Sequence, residues 1–421
     1  MSLYHSRPIN VQYKRGADAG KNENFAAISL TAFRLCVTFY KKYCILLFQQ
    51  VINVKKQYDV AAYIWPSYTG KEPRSRQFWE QGIGEWQSVL SAEARVEGQI
   101  LPRKPLWGTV DEADPKVMEF QINEALRHGV NVFIYDWYWY DRRSFLEQCL
   151  DEGFLGAPNN ADMKFYLMWA NHDAGYTWDK RQSGLDEIIW FGSQPRWEFD
   201  RICRRVIDLY FKRPNYYKID GCPVFMIYEM SNLVRGLGGV DQAREALDHF
   251  RKLTVEAGFP GLHLQATIYS EHAVNVSGVD SAREGSTKDL VALLGFDSVT
   301  HYQFCHFVDC DRDYLDILPD VQKEWDRIRA EYKVPYYPHM TIGWDNNPRH
   351  HFLTRPIMQN NTPENFKKGL EMAKDYADRY NQVPLITINS WNEWTEMSYL
   401  EPDDVYGYGY LEAVRDVFKK S

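Results

Sequence analysis

The stretch ITINSWNEWTEMSYLEP, Ile386–Pro402, starts as a strand and ends among reactive groups. Ile386, Ile388 and Ser390 alternate with Thr387, Asn389 and Trp391, the period-two pattern of a β-strand. Glu393 and Glu396 follow at once, set among Trp391, Trp394 and Tyr399. A strand that hands directly to carboxylates and large rings fits the C-terminal mouth of an α/β barrel, where strand ends carry the chemistry.

Reading back from this stretch, seven more apolar or alternating runs appear: DVAAYIW (59–65), VNVFIYDW (130–137), KFYLMWAN (164–171), PVFMIYE (223–229), LHLQATI (262–268), FDSVTHY (296–302) and PYYPHMTI (335–342), with PLITINSW (384–391) as the eighth. Helix-compatible segments separate them. In 115–129, Pro115 suits a first turn, Val117, Phe120, Ile122, Ala125 and Leu126 supply the apolar face, and Gly129 is a stop. In 362–380, Thr362 is an N-cap ahead of Pro363, and Phe366, Leu370 and Ala373 form one stripe. Strands alternating with helices pair in parallel through right-handed crossovers, and eight such units predict a single (β/α)8 barrel over residues 59–421. A doubly wound open sheet is the competing arrangement, but no GxGxxG or P-loop follows any run. The long excursion from 66 to 129 is expected to lie over the barrel mouth.

Residues 1–58 differ from the rest. Phe25–Phe33 is apolar and Tyr43–Val54 uncharged, yet Arg34, Lys41 and Lys42 interrupt before the roughly 20 apolar residues of a transmembrane helix are reached. The basic residues precede Tyr43–Phe48 as in a degenerate signal, but no small-residue cleavage site follows. An appended tail is the expectation, compatible with a cytoplasmic or an exported protein, and no integral membrane span is expected. The seven cysteines, at 36, 44, 149, 203, 222, 305 and 310, form no CxxC pair, so neither a disulfide framework nor a structural zinc is expected. His301, Cys305, His306 and Cys310 lie close together, but their spacing matches no standard zinc pattern. No metal and no other cofactor is predicted.

The net charge of −8 and the lack of a long basic run leave no footprint for a nucleic-acid partner. Aromatic residues make up 15% of the 421, with 14 Trp and 28 Tyr, and they gather at the strand ends. Those ends carry Tyr63 and Trp65; Asp136, Trp137 and Tyr138; Trp169, Asn171 and His172; Tyr228 and Glu229; His301 and Tyr302; Trp344, Asp345 and Asn346; and Trp391, Asn392, Glu393, Trp394 and Glu396. One such end is ordinary barrel packing. Six or more together have the makeup of a saccharide cleft, with flat rings for sugar faces and polar groups for hydroxyls. An oligo- or polysaccharide is therefore the expected partner. If Asn392–Glu396 makes one helical turn, Glu393 and Glu396 share a face with β-carbons about 5–6 Å apart. Two carboxylates that close cannot both ionise freely, which separates a proton donor from a base.

The motifs WNEWTE and YLEPDDVYGYGYLEAV (399–414), with GIGEW (82–86), HGVNVFIYDWYWY (128–140), MWAN (168–171) and GWDNNPR (343–349), resemble the WbsX-type, glycoside hydrolase family 99-like domains over about residues 59–418. The resemblance implies a (β/α)8 fold and a retaining, endo-α-mannosidase-like or endo-α-mannanase-like activity without a metal. It also implies substrate contacts from the strand-end residues above and from Glu85, Trp86 and Tyr399. By that resemblance Glu393 is the base toward the sugar's own 2-hydroxyl, giving a 1,2-anhydro sugar, and Glu396 is the general acid and later the base. This chain departs from the pattern at His172, where Glu commonly follows WAN, and at Met397, where Gly is frequent. WbsX-type domains also carry a glycosyltransferase label and occur in surface-polysaccharide synthesis, so transfer stands beside hydrolysis, with a catalytically silent glycan-binding barrel as the third reading.

Overall fold

All eight runs are strands in the computed structural model, which describes residues 57–269 and 286–419. They are β1 (Asp59–Ile64), β2 (Val132–Tyr140), β3 (Lys164–Trp169), β4 (Cys222–Ile227), β5 (His263–Thr267), β6 (Ser298–Thr300), β7 (His339–Thr341) and β8 (Leu385–Asn389). Every neighbouring pair from β1 through β6 is parallel, and β8 pairs in parallel with both β7 and β1. The remaining seam, β6 to β7, is joined by a parallel bridge between Val299 and Tyr336, just ahead of β7. The result is a nearly closed eight-stranded α/β barrel.

The crossovers run as the pattern predicts. Helix α1 (Pro115–His128) starts under an Asp114 cap whose side chain accepts from the Lys116 N–H, and ends at Gly129, whose φ of 96° only glycine adopts cheaply. Its buried face is Met118, Gln121, Ile122 and Ala125, while Phe120 lies 44% exposed. Later crossovers use α2 (Arg196–Val206), α3 (Met230–Leu237), α4 (Val240–Glu256), α5 (Thr287–Leu294) and α6 (Tyr314–Glu331). In α7 (Pro363–Tyr380) Thr362 caps the first turn and Phe366, Leu370 and Ala373 are buried. The chain then passes through a loop into α8 (Gly409–Phe418), which packs on α7 and α1.

Inside the barrel the core is partly polar. Thr300 and Thr387 share a hydroxyl contact of 2.9 Å, His339 reaches Thr387 at 3.0 Å, and Tyr166 donates to Gln265 at 3.1 Å. Thr387 therefore faces the barrel axis, and alternation turns Ile386 and Ile388 outward to the helices. The same parity aims Asn389 inward, beneath the motif that follows.

Of the expected tail, residues 1–56 lie outside the described residues. Tyr58 belongs to the barrel: its ring lies 5.3 Å from that of Phe418 and its hydroxyl donates to Asp378 at 2.6 Å. Among the described residues no helix is long and apolar enough to cross a membrane, and no group of three or more His, Cys, Asp or Glu is placed to hold a metal ion.

Candidate active site

The chain leaving β8 makes a hairpin in place of the helical turn expected from spacing. Asn392 pairs with Tyr399 and Glu393 with Ser398, and Trp394–Glu396 is a single 3-10 turn at the tip. Both glutamates line a cavity of about 250 Å3 at the C-terminal end of the barrel, together with Trp65, Asp136, Tyr138, His172, Trp178, Tyr228, Tyr269, Tyr302 and Arg349.

Arg349 organises the floor. Its guanidinium donates to Glu396 Oε1 at 2.8 Å, Glu393 Oε1 at 3.4 Å, Thr395 Oγ1 at 2.8 Å and Glu85 Oε1 at 3.3 Å. The loop carrying it is fixed by Asn347, whose backbone and side-chain N–H groups reach Asp345 Oδ1 at 3.0 and 2.6 Å, and by the Asp345 N–H, which donates to the Glu396 carbonyl at 2.9 Å. Glu85 arrives from the excursion over the mouth, accepting from Trp65 Nε1 and from Ser67 Oγ at 3.1 Å. Gly84 makes that approach possible, because a Cβ there would sit 1.9 Å from the Ser67 carbonyl oxygen.

The two glutamates are held differently. Glu393 Oε2 accepts from Tyr302 at 2.8 Å and from Asn389 Nδ2 at 3.3 Å, in addition to the Arg349 contact on Oε1. Among the described residues Glu396 has Arg349 on Oε1 alone, and its buried Oε2 has no partner. Burial, then the charge of Glu393, pushes the Glu396 carboxyl well above the ordinary carboxylate range, with Arg349 opposing. Burial also raises Glu393, while Arg349 and the Tyr302 hydrogen bond pull it back. Asp136 is raised well above its ordinary value by burial and by Glu393. Burial pulls the Arg349 pKa down, and the charges of Glu85, Glu396 and Glu393 more than reverse that. His172 is lowered by burial and stays neutral at pH 7.

Of the residues singled out from sequence, Trp65, Asp136, Tyr138, His172, Glu393 and Glu396 reach this cavity, as do Tyr228 and Tyr302. Strand parity removes others. Asp136 and Tyr138 face the axis, so Trp137 points outward, where its Nε1 donates to Glu147 at 2.9 Å. Met168 and Ala170 line the cavity while Trp169 packs on Phe199 outside, ring centroids 5.7 Å apart. Asn171 bridges to the Glu229 backbone in both directions at 2.8 Å, and Glu229 caps α3 through Ser231. Tyr302 faces inward, and its neighbour His301 is fully buried against Phe307, with Nδ1 at 2.9 Å from the Tyr336 hydroxyl. Tyr63 lies below the cavity, donating to the His301 carbonyl at 3.0 Å.

The aromatic residues of WNEWTE and GIGEW are packed away from this cavity. Trp391 packs on Phe133 and donates to Gln121 at 3.1 Å, Trp394 stacks on Tyr399 at 3.8 Å, and Trp86 donates to the Val110 carbonyl at 2.8 Å. Asn392 clamps the Trp65 backbone and reaches both oxygens of Glu112 at 2.9 and 3.0 Å. Trp344, Asp345 and Tyr399 face a second cavity of about 580 Å3, on the Met397 side of the hairpin. Asn346 lies half-buried beside it, with its amide 3.1 Å from His350 Nε2. Sequence reasoning gave no role to Arg349 or Trp178. The final residue of GWDNNPR was a visible clue to the first, since several buried acids need a cation.

The fold has relatives. Among solved structures, the chain is similar to the family 99 endo-alpha-mannosidase from Bacteroides thetaiotaomicron, with a TM-score of 0.52 and 13% identity over 86% of this chain and 97% of that one. It is also similar to a glycoside hydrolase-like protein, with a TM-score of 0.54 and 16% identity over 87% and 95%. At such identities the likeness is one of fold. In sequence, it is 25% identical over 354 residues to the uncharacterized protein WxcX of Xanthomonas campestris pv. campestris, covering 83% of this chain and 48% of the relative. The chain thus spans about half the length of the curated relatives it matches. The family model described as Glycosyltransferase WbsX matches residues 60–414, and the chain belongs to that WbsX family.

Proposed function

We propose that this chain cleaves an internal α-linked glycosidic bond of an oligo- or polysaccharide, mannan-like or related, with retention of anomeric configuration. The observation that carries the reading is the unequal holding of the glutamate pair on Arg349. Glu393, with three donors, suits a base; Glu396, with a raised carboxyl and a partnerless Oε2 at the cavity, suits a proton donor. Glu393 takes the proton of the sugar's 2-hydroxyl as O2 attacks C1, while Glu396 gives its proton to the departing glycosidic oxygen. Water then attacks C1 of the anhydro sugar, losing its proton to Glu396 as Glu393 returns its own to O2. Trp65, Tyr138, Trp178 and Tyr228 offer ring faces for the sugar.

The description of the family as glycosyltransferases supports a second reading that uses the same groups. A sugar hydroxyl replaces water in the second half, and Glu396 deprotonates it instead. The experiment incubates the protein with α-mannans and mixed bacterial polysaccharides, with and without an acceptor oligosaccharide, beside a Glu396→Gln control, and separates the products. Released fragments in water alone establish hydrolysis. Elongated acceptors with few free fragments establish transfer, and neither product from any polymer overturns both.

A further inference from the structure

The Tyr302 hydroxyl lies 2.9 Å from Asp136 Oδ2 and 2.8 Å from Glu393 Oε2. A phenol has one proton to give, so it can donate to only one of these oxygens and must accept from the other. One of the two carboxyl groups therefore carries a proton. Their other contacts decide which. Glu393 also receives Arg349 at 3.4 Å and Asn389 at 3.3 Å, a setting that favours an anion. Asp136 is 2% exposed, and among the described residues it takes no other donor and leaves Oδ1 without a partner at the cavity. A buried anion with a single donor is the costlier arrangement.

We infer that Asp136 is a protonated positioning residue: Asp136 Oδ2–H donates to Tyr302, Tyr302 donates to Glu393 Oε2, and Asp136 Oδ1 is an acceptor for a substrate hydroxyl. The ionisable groups facing Asp136 agree with that state. Glu393 and Glu396 lie on the hairpin, Tyr63 on β1, Tyr138 on its own strand and Tyr302 after β6, and Arg349 pairs with the glutamates and not with Asp136. The chain of donors fixes the orientation of the Glu393 carboxylate and favours its ionised form, the state a base needs, so this inference rests on the proposed reaction for its use but not for its test.

The test is infrared difference spectroscopy on the full chain without substrate, at neutral pH. The spectrum of the native protein minus that of Asp136→Asn is expected to contain one carboxylic acid C=O band that moves on exchange into D2O. In Tyr302→Phe the same band should persist but shift, because its hydrogen-bond acceptor is gone. This second variant decides the matter if Asp136→Asn does not fold. Loss of carboxylate bands only in Asp136→Asn, or an unmoved acid band in Tyr302→Phe, overturns the assignment. A protein with the expected bands and no glycan turnover would sink the proposed function and leave Asp136 protonated; turnover without the bands would do the reverse.

Discussion

Two clusters of buried carboxyl groups sit on either side of the same hairpin, and they are finished differently. On the cavity side, Asp136 Oδ1 and Glu396 Oε2 have no partner among the described residues. On the far side every oxygen of Glu112 and Glu401 is engaged. Glu112 takes Asn392 on both oxygens, Gln121 at 3.4 Å and the Cys149 thiol at 3.7 Å, and Glu401 takes Gln121 at 2.8 Å and Trp394 Nε1 at 2.7 Å. Both clusters are buried and both have raised carboxyls, so perturbed titration does not tell a site from a scaffold here. Unspent hydrogen-bonding capacity does: the far cluster holds the hairpin in place, and the near one keeps atoms free for a substrate.

The largest expected effect breaks the near cluster at its free atom. Glu396→Gln should cut turnover about 10²–10⁴-fold on glycans with poor leaving groups and far less on aryl glycosides that need no protonation, read from initial rates on the two substrate types. Equal loss on both would remove Glu396 as the acid. Glu393→Gln should lose both activities together, because the 2-hydroxyl must be deprotonated whatever leaves.

Next comes the cation that, among the described residues, the near cluster has and the far one lacks. Arg349 is 5% exposed and pairs with Glu85, Glu393 and Glu396. Arg349→Met leaves buried carboxylates uncompensated, and urea unfolding at neutral pH should show a loss of roughly 3–5 kcal/mol that shrinks as the pH falls and the acids take up protons. A loss below about 1 kcal/mol would mean that the cluster carries no net charge for Arg349 to balance.

The far cluster yields a smaller effect with a pH signature. Burial pushes Glu112 from 4.5 to about 7, with the hydrogen bonds from Asn392, Gln121 and Cys149 working against the rise. A carboxyl raised on folding holds its proton more tightly in the native state, so its stabilising contribution is complete below pH 4.5 and is lost as the pH rises to about 7. Relative to Glu112→Gln, the native protein should lose roughly 3 kcal/mol across that window in urea unfolding. A constant difference between the two proteins would show that Glu112 does not titrate there.

The contrast between the clusters also marks what the sequence could disclose. The eight strands were readable because each is a local apolar run, and Glu393 and Glu396 because the strand before them is so plain. Trp137 and Trp169 are misplaced at the cavity when a strand end is read as a unit, because alternation with Asp136 and Met168 turns them outward; Trp391 shares the parity of Asn389, so alternation gives no warning of its place against Phe133 and Gln121. Glu112 carries no comparable local signal, and Arg349 only its place at the end of GWDNNPR. Gln121 meets Glu401 across 280 positions and Arg349 meets Glu85 across 264, and no periodicity links residues so far apart. Pairings of that kind follow from barrel closure and become visible only once the ring of strands is drawn.

The smallest expected effect lies between the clusters, at Met397. The residue follows Glu396 with φ at 55°, the left-handed region, where a side chain costs about 1 kcal/mol over glycine. Its side chain lines the second cavity, and its carbonyl is 2.4 Å from where a Cβ on Gly343 would be, so the turn has little room to move. In Met397→Gly the relief of backbone strain is offset by lost side-chain packing and by a more flexible unfolded chain, and the net change in urea unfolding should stay within about 1 kcal/mol. The second cavity that the Met397 side chain lines takes no residue of either carboxyl cluster, so the pH profile of turnover should stay where it is while KM for longer oligosaccharides changes if they reach that cavity. A shifted pH profile would mean that the strained turn itself sets the Glu396 carboxyl, and the division between a free near cluster and a fixed far one would then have to include the turn that joins them.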